Sequence, residues 1–373
     1  MVNKLLGKLP LDKLPKLPFD KLSKLRFGNI AFKKAGQLVG VDIGTASIKI
    51  CLVEQTKEGG FVCSRMISKS YDEDLLHEGN IVDRIFVAQE LRSLLDMNGI
   101  AATAAASALS SYSVITKRVN MPFLEKDALE NSIQLEVENI IPFPLKDIYY
   151  SYYPMGMDED KENMMNLLIV EAKKEIVDGY AKTFELAKLD LAILDVDIFG
   201  ITNLIEQIYH PKDFSVIAVD IGASVTNIAI MKDVNIEFTR EILIGGRYIT
   251  NEIAGVQRIP YKQAEEEKYN AGGNVSEILE EFVVNISSEI NKTINFYVAT
   301  KPRETVGRVY LTGGSALIPG LKEQIEKETE IAVEFLDPFL LFQDQTGGGM
   351  QGGTQFNMPV ALYLSSRAYE KTA

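Results

Sequence analysis

Long apolar runs are missing from this chain of 373 residues: no uncharged stretch of about 18 or more occurs, so no membrane-spanning helix is expected. The N-terminus also lacks an unbroken apolar segment, because Lys and Pro interrupt it every few residues, which argues against a secretory signal. Cysteine is scarce. Cys51 and Cys63 cannot build a disulfide framework, which suits a reducing cytoplasm. Histidine is equally scarce, and His77 and His210 lie far apart without Cys or acidic neighbours at ligand spacing, so structural zinc is not expected. What remains, 46% hydrophobic and 24% charged residues, is the composition of a globular protein long enough for two domains.

Charge is unevenly spread. Through Lys34, nine basic residues face only Asp12 and Asp20, a net of +7, which leaves −20 on the rest of a chain whose total is −13. An acidic body repels phosphate backbones, so no nucleic-acid partner is expected. The basic head is a degenerate octad repeat, Asp12-Lys-Leu-Pro-Lys-Leu-Pro-Phe19 followed by Asp20-Lys-Leu-Ser-Lys-Leu-Arg-Phe27. Its prolines forbid a regular helix. It reads either as a flexible tail or as an adhesive arm whose Leu and Phe touch a membrane while Lys meets anionic headgroups.

From Leu38 the pattern turns to strands at 38–43, 48–54 and 61–67, then a helix from Val82 to Met97 and a return to the sheet over Thr103–Val119. Cys51 and Cys63 are expected as packed neighbours on adjoining strands. Residues 121–192 read as an inserted unit. It holds an amphipathic helix over 125–140, strands at 148–153 and 166–170 around a hairpin loop, and a helix over 173–188. A strand at 191–196 leads to a connecting helix near 201–208. At Phe214 the chain begins again: Ser215-Val-Ile-Ala-Val-Asp-Ile-Gly222 mirrors Leu38-Val-Gly-Val-Asp-Ile-Gly44. That self-similarity predicts an internally duplicated fold. Ile278, Phe282, Ile286, Ile290 and Ile294 form a stripe at i+4 spacing, expected to be core packing along one long helix.

The repeated segments carry the chemistry. In each, Gly44 or Gly222 lets the chain turn tightly after Asp-Ile, and the following N–H groups can face a polyphosphate. Asp42 and Asp220 end the strands with acceptor-only carboxylates, suited to holding the waters of Mg²⁺. Lys49 alternates with apolar neighbours and can reach a phosphate as a point charge. A third element, Val309-Tyr-Leu-Thr-Gly-Gly-Ser315, ends an apolar strand in paired glycines ahead of a helix, where backbone can lie flat against a nucleoside. Alone, each would be an ordinary turn; the two Asp-Ile-Gly turns in duplicated halves are the stronger signal.

These motifs, in this order, resemble the phosphate-1, phosphate-2 and adenosine motifs of the superfamily of actin, DnaK chaperones and sugar kinases. The resemblance implies an α/β fold of duplicated actin/RNase H-like lobes with ATP and Mg²⁺ in the cleft between them. Asp42, Gly44, Thr45, Ala46 and Lys49 would line one side of the phosphates, and Asp220, Gly222, Ala223 and Thr226 the other. Gly313, Gly314 and Ser315 would meet the adenosine, while Gly245, Gly246, Glu265 and Lys268 resemble the ribose and adenine contacts. Asp42, Asp220 and Asp197 are the carboxylates placed for chemistry.

Within the superfamily, Glu138-Asn-Ile-Ile-Pro-Phe-Pro-Leu145, Leu194-Asp-Val-Asp197, Ser288-Glu-Ile-Asn-Lys-Thr-Ile-Asn-Phe-Tyr297 and Asp337-Pro-Phe339 resemble the PilM family of type IV pilus assembly proteins. The 121–192 insert is placed like the 1C subdomain shared by PilM and FtsA. The implied layout is a head (1–36), subdomain 1A (37–120, 193–213 and 337–373), 1C (121–192), 2A (214–250 and 276–336) and 2B (251–275). The resemblance implies a cytoplasmic protein at the inner membrane that holds the tail of a PilN-like protein in a 1A/1C groove, with pilus motor or platform proteins as further partners. The basic head, the glycine-rich loop Gly347–Gly353 and the altered ending Val360–Arg367 depart from the family pattern. An FtsA-like division protein would share the fold and insert. A sugar kinase would need a base in the cleft, for which Asp195 and Asp197 are the nearby connecting-segment carboxylates. Hydrolysis is expected to be slow or partner-stimulated, because no residue is evidently placed to orient water.

Overall fold

The computed structural model describes residues 37–124, 126–158, 160–233, 235–269, 275–346 and 353–369. The octad head and most of the Gly347–Gly353 loop lie outside the described residues. The chain opens with β1 (Leu38–Ile43), β2 (Ser47–Gln55), β3 (Phe61–Ser70), the short pair β4 (Leu76–His77) and β5 (Asn80–Ile81), α1 (Arg84–Met97) and β6 (Ala104–Leu109). Next come β7 (Val114–Pro122), α2 (Lys126–Ile140), β8 (Ile148–Met157), β9 (Met164–Lys173), α3 (Lys174–Leu186), β10 (Asp190–Val196) and α4 (Asp197–Tyr209). The second half holds β11 (Ser215–Ile221), β12 (Thr226–Lys232), β13 (Asn235–Ile242), α5 (Gly246–Gln257), α6 (Tyr261–Glu267) and α7 (Ser276–Thr300). β14 (Val306–Thr312), α8 (Leu321–Thr329), β15 (Val333–Phe335), β16 (Phe342–Asp344) and α9 (Pro359–Ser366) complete it.

Two sheets repeat one topology. The first runs β10-β6-β1-β2-β3-β16 and the second β13-β12-β11-β14-β15. In both, an antiparallel three-strand meander (β1 to β3, β11 to β13) continues into two parallel strands on the side of its first member. The strand pattern repeated in the sequence is thus a repeat of architecture, with β16 added at the first sheet's edge.

The apolar faces decide how the lobes meet. β1 and β11 are buried almost end to end, as strands covered on both faces must be. α4 and α9 fill the space between the sheets. Val216, Ala218 and Met231 of the second sheet share one buried cluster with Phe199, Ile201 and Ile205 of α4 and the strands of the first. Asn203 Nδ2 donates to Tyr363 Oη at 2.9 Å, tying α4 to α9. Below α9, Arg367 forms a buried ion pair with Asp195 of β10. The outer face of the second sheet is closed by α7, whose Phe282, Ile286, Ile290 and Ile294 are all buried as their i+4 spacing predicts. α1 begins where Asp83 accepts from the amides of Ile85 (3.0 Å) and Phe86 (2.9 Å), a side-chain N-cap.

β7, β9 and β8 form a separate antiparallel sheet. One face carries α2 through Ile133 and Val137, and the other packs Leu168, Val170 and Ala172 against the first lobe. This unit differs in extent from the insert expected at 121–192. Val114–Pro122 pairs along its whole length with β9, so the segment expected to return to the main sheet up to Val119 belongs to the small one. At the far end, α3 packs on α1, and β10 pairs with β6 in the main sheet. The small sheet therefore spans 114–173. Cys51 and Cys63 are both buried in the cluster beneath α9, as neighbours on β2 and β3.

Candidate functional site

Both Asp-Ile-Gly turns lie at the same edge of their sheets and face each other across a cleft of about 630 Å³, within the usual range for a small-molecule site. The turns are built alike. Gly44 N–H donates to the Ser47 carbonyl at 2.9 Å, and Gly222 N–H donates to the Val225 carbonyl at 3.0 Å. Strand pairing sets Asp42 opposite Lys49 and Asp220 opposite Asn227. The duplicated position is therefore a cation in one lobe and a neutral amide in the other.

That difference governs the electrostatics. Lys49 Nζ lies 2.8 Å from Asp42 Oδ2. Burial pulls the lysine's pKa down, but Asp42, Asp220 and Asp197 more than offset this, and the net shift is upward. Asp220 is pushed up to about 6 by burial, with Lys49 opposing and Asp42 adding to the rise. Asp197, the first residue of α4, is pushed up to about 7 by burial and the nearby Asp220 carboxylate. Its Oδ1 accepts from the amides of Ser111 (2.9 Å) and Ile198 (2.6 Å) and from the Ser111 hydroxyl, and its Oδ2 accepts from Asn227 Nδ2 at 3.3 Å. Three carboxylates thus surround one lysine. Asn227 Oδ1 is buried without a hydrogen-bond partner.

The side of the cleft expected to meet adenosine is assembled from the third motif. Ser315 N–H donates to the Ile221 carbonyl at 2.9 Å, and Ser315 Oγ donates to Gly222 O at 3.2 Å, so the strand end at β14 is fastened to the second turn. Gly313 has φ +96°, and a Cβ there would lie 2.4 Å from Asp220 Oδ1; only glycine fits this corner. Gly314 has no atom within 4 Å of its would-be Cβ and opens on the cleft. Lys268 is buried and donates to Glu265 Oε1 at 2.6 Å; desolvation lowers its pKa against the pull of Glu265. Tyr269 Oη donates to Gly314 O at 2.8 Å, with Lys268 Nζ 5.0 Å from its ring.

Of the residues expected at the site, Asp42, Gly44, Thr45, Ala46, Lys49 and Asp197 line the cleft on the first-lobe side. Asp220, Gly222, Ala223, Glu265, Lys268, Gly313, Gly314 and Ser315 line it on the second. Three others do not reach the lining. Thr226 is fully buried and donates to the Ile244 carbonyl at 2.8 Å, because adjacent strand residues point to opposite faces and Asn227 takes the cleft side. Gly245 and Gly246 pack behind the second turn, where a Cβ would meet Ala223 and Ser315 respectively. Asp195 is spent on Arg367 and is not a cleft base. Sequence reasoning missed Asn227, Arg247, Tyr261 and Tyr269, all of which line the cleft.

A family model described as type IV pilus assembly protein PilM matches residues 40–351. The chain belongs to the PilM family. Among curated relatives, the cell division protein FtsA of Enterococcus hirae is 25% identical over 351 residues, covering 82% of this chain and 79% of that protein. FtsA of Enterococcus faecalis is 24% identical over 362 residues, with the same coverage. A chain of a solved PilM-PilN type IV pilus biogenesis complex superposes with a TM-score of 0.81 at 22% identity, covering 90% of this chain and all of that one. The ethanolamine utilization protein EutJ from Carboxydothermus hydrogenoformans gives 0.55 at 18% identity, covering 90% and 91%. The fold is the actin-like one that the duplicated sheets already indicate. Among the described residues, no helix is long and apolar enough to cross a membrane.

Proposed function

We propose that this PilM-family chain binds ATP with Mg²⁺ in the interlobe cleft. In this reading it serves a type IV pilus inner-membrane assembly by holding the cytoplasmic tail of a PilN-like protein. The observation that carries the nucleotide reading is the pair of similarly bonded turns facing each other across three carboxylates and one lysine. The residues fit both groups. The amides after Gly44 and Gly222 suit a phosphate chain, and the open space over Gly314 suits a nucleoside. Excess negative charge at Asp197 and Asp220 suits a divalent cation. Among the described residues no group of three or more His, Cys, Asp or Glu is spaced to hold a metal directly; Asp42 and Asp220 would hold Mg²⁺ through its waters. Bound Mg²⁺ would offset the repulsion among these carboxylates. Asp197, whose carboxyl has no cation partner of its own, is the group to accept a proton from water if hydrolysis occurs, and turnover is slow or partner-stimulated.

The partner reading rests on family membership and on the solved PilM-PilN complex. The tail would lie between the small sheet unit and the first lobe, and lobe closure around nucleotide would alter that groove. Titration of the full chain with PilN-type tail peptides, with ATP–Mg²⁺, with ADP–Mg²⁺ and without nucleotide, tests both parts. Equal tail affinity in ATP and ADP would remove the switch, and absence of tail binding in every state would remove the partner. An FtsA-like tethering role is the second reading, carried by the curated relatives; preference for division-protein peptides over PilN-type tails in the same titration would favour it.

A further inference from the structure

Arg247, the second residue of α5, lines the cleft and forms an ion pair through Nη1 with Asp74 of the opposite lobe. The remainder of its guanidinium is unused: Nε and Nη2 are buried and have no hydrogen-bond partner. These two nitrogens form one edge of the planar group, the edge that grips two oxygens of a carboxylate or phosphate side by side. The centre of the guanidinium stands 5.4 Å from the Tyr261 ring, which limits its swing.

The backbone around the pair gives it a special place. Tyr71 N–H donates to the Ala46 carbonyl (2.9 Å) and Leu75 N–H to the Thr45 carbonyl (2.8 Å), so the segment carrying Asp74 is bonded to the first turn. Gly246 N–H donates to the Gly222 carbonyl (3.0 Å) and Arg247 N–H to the Ala223 carbonyl (2.8 Å), so Arg247 is bonded to the second. The ion pair therefore closes a circuit around the space between the two turns.

We infer that Arg247 is a nucleotide-phosphate clasp, held across the cleft by Asp74 so that its free edge meets the phosphate chain and joins the two lobes around it. The inference rests on nucleotide binding in this cleft as proposed above. A cleft arginine left with a buried, unpartnered edge loses the hydration of two donors, and a phosphate restores both bonds. Asp74 fixes the orientation of the plane while its own side chain stays about half exposed, with a relative exposure of 48%. Asp74 is thus a positioning residue, and Arg247 the phosphate contact.

The test is calorimetric titration of the full-length wild type, Arg247→Lys, Arg247→Met, Asp74→Asn and the double variant Asp74→Asn/Arg247→Met with ATP–Mg²⁺, ADP–Mg²⁺ and adenosine. Unfolding midpoints establish that each variant is folded. A charge-assisted bond is worth about 1.5–3 kcal/mol. Both Arg247 variants are therefore expected to bind ATP and ADP about ten- to a hundredfold more weakly, with adenosine affinity unchanged. Lysine fails to rescue because it lacks the two-pronged edge. Asp74→Asn should weaken ATP and ADP binding by a smaller factor, and that factor should vanish in the Arg247→Met background. ATP affinity equal to wild type in folded Arg247→Lys and Arg247→Met, or an equal loss for adenosine and ATP, overturns the clasp. A wild type that binds no adenine nucleotide overturns the cleft reading itself, which separates the two failures.

Discussion

Replacing Asp197 by Asn should stabilise the ligand-free chain, and only above about pH 4, where an aspartate of the unfolded chain is charged. The side chain is buried at the start of α4, and its carboxyl is pushed from an ordinary 3.8 to about 7, first by burial and then by Asp220. A carboxyl raised on folding favours the folded state fully while it is protonated in both states, below about 4. It withdraws that support progressively as pH rises from about 4 to about 7. Each pH unit of that gap corresponds to about 1.4 kcal/mol, which sets a ceiling of about 4 kcal/mol at pH 8. Asparagine has the same shape and keeps one acceptor oxygen for Ser111 and Ile198. Its new amide would face Asn227 Nδ2, now a donor to Asp197 Oδ2 at 3.3 Å. Rotation of the Asn227 amide would present Oδ1, at present unpartnered, so the substitution can satisfy both groups.

Denaturant unfolding in EDTA at pH 5, 6, 7 and 8 reads the effect. The expected gain is about 2–4 kcal/mol at pH 8, falling below pH 7 to somewhat less than half of that by pH 5 and vanishing only near pH 4. Magnesium–nucleotide affinity should fall in the same variant, the usual trade between a charged site and stability. A gain independent of pH, or a loss of stability at pH 8, would refute the claim that uncompensated charge is stored at Asp197.

Gly313→Ala should cost about 2–5 kcal/mol, combining left-handed backbone strain with overpacking against Asp220, whereas Gly314→Ala should stay within about 0.5 kcal/mol of wild type; thermal unfolding of the pair checks this. Asp195→Ala removes the buried carboxylate facing Arg367 beneath α9 and should destabilise by about 3–5 kcal/mol in denaturant titration. Glu237 of β13 pairs with Arg118 of the small sheet at 2.6 Å and also with Lys301, joining the small unit to the second lobe. Both cations are partly exposed, so Glu237→Gln should cost only about 1–2 kcal/mol, but hydrogen exchange of β7 should rise more than that of β1.

Much of the fold was legible because it is written twice. Asp42-Ile-Gly44 and Asp220-Ile-Gly222 follow similar apolar strands, and each predicts its own β-turn-β without help from distant residues. The edge of the small unit was not legible for the opposite reason. Val114–Pro122 reads as a strand whichever sheet receives it, and its partner β9 lies some fifty residues on, in pairing that no local pattern specifies. The site shows the same division. Lys49 stands out as a charge amid apolar neighbours, and it does meet Asp42. Arg247 does not stand out, because its meaning depends on Asp74, 173 residues away. Thr226 illustrates a local rule applied one residue off. Only one of Thr226 and Asn227 can face the cleft, and the pairing of Asp220 with Asn227 fixes which.

That last pairing explains why a site built by duplication is not symmetric in charge. With Lys49 opposite Asp42, the first lobe's turn is neutralised from within its own sheet. With Asn227 opposite Asp220, the second lobe's turn is not. Asp197 then enters from α4, the helix between the lobes, and adds a third carboxylate on the uncompensated side. A lysine at both positions would make a self-neutral cleft with little need of a cation. The asymmetric pair instead leaves a formal excess of two negative charges in a buried space between the lobes, which protonation of Asp197 and Asp220 only partly relieves. On the proposed reading, a magnesium–nucleotide complex would supply a cation for that excess and phosphates for Lys49 and Arg247 together, so the same charge imbalance that weakens the empty cleft would drive it to close when filled.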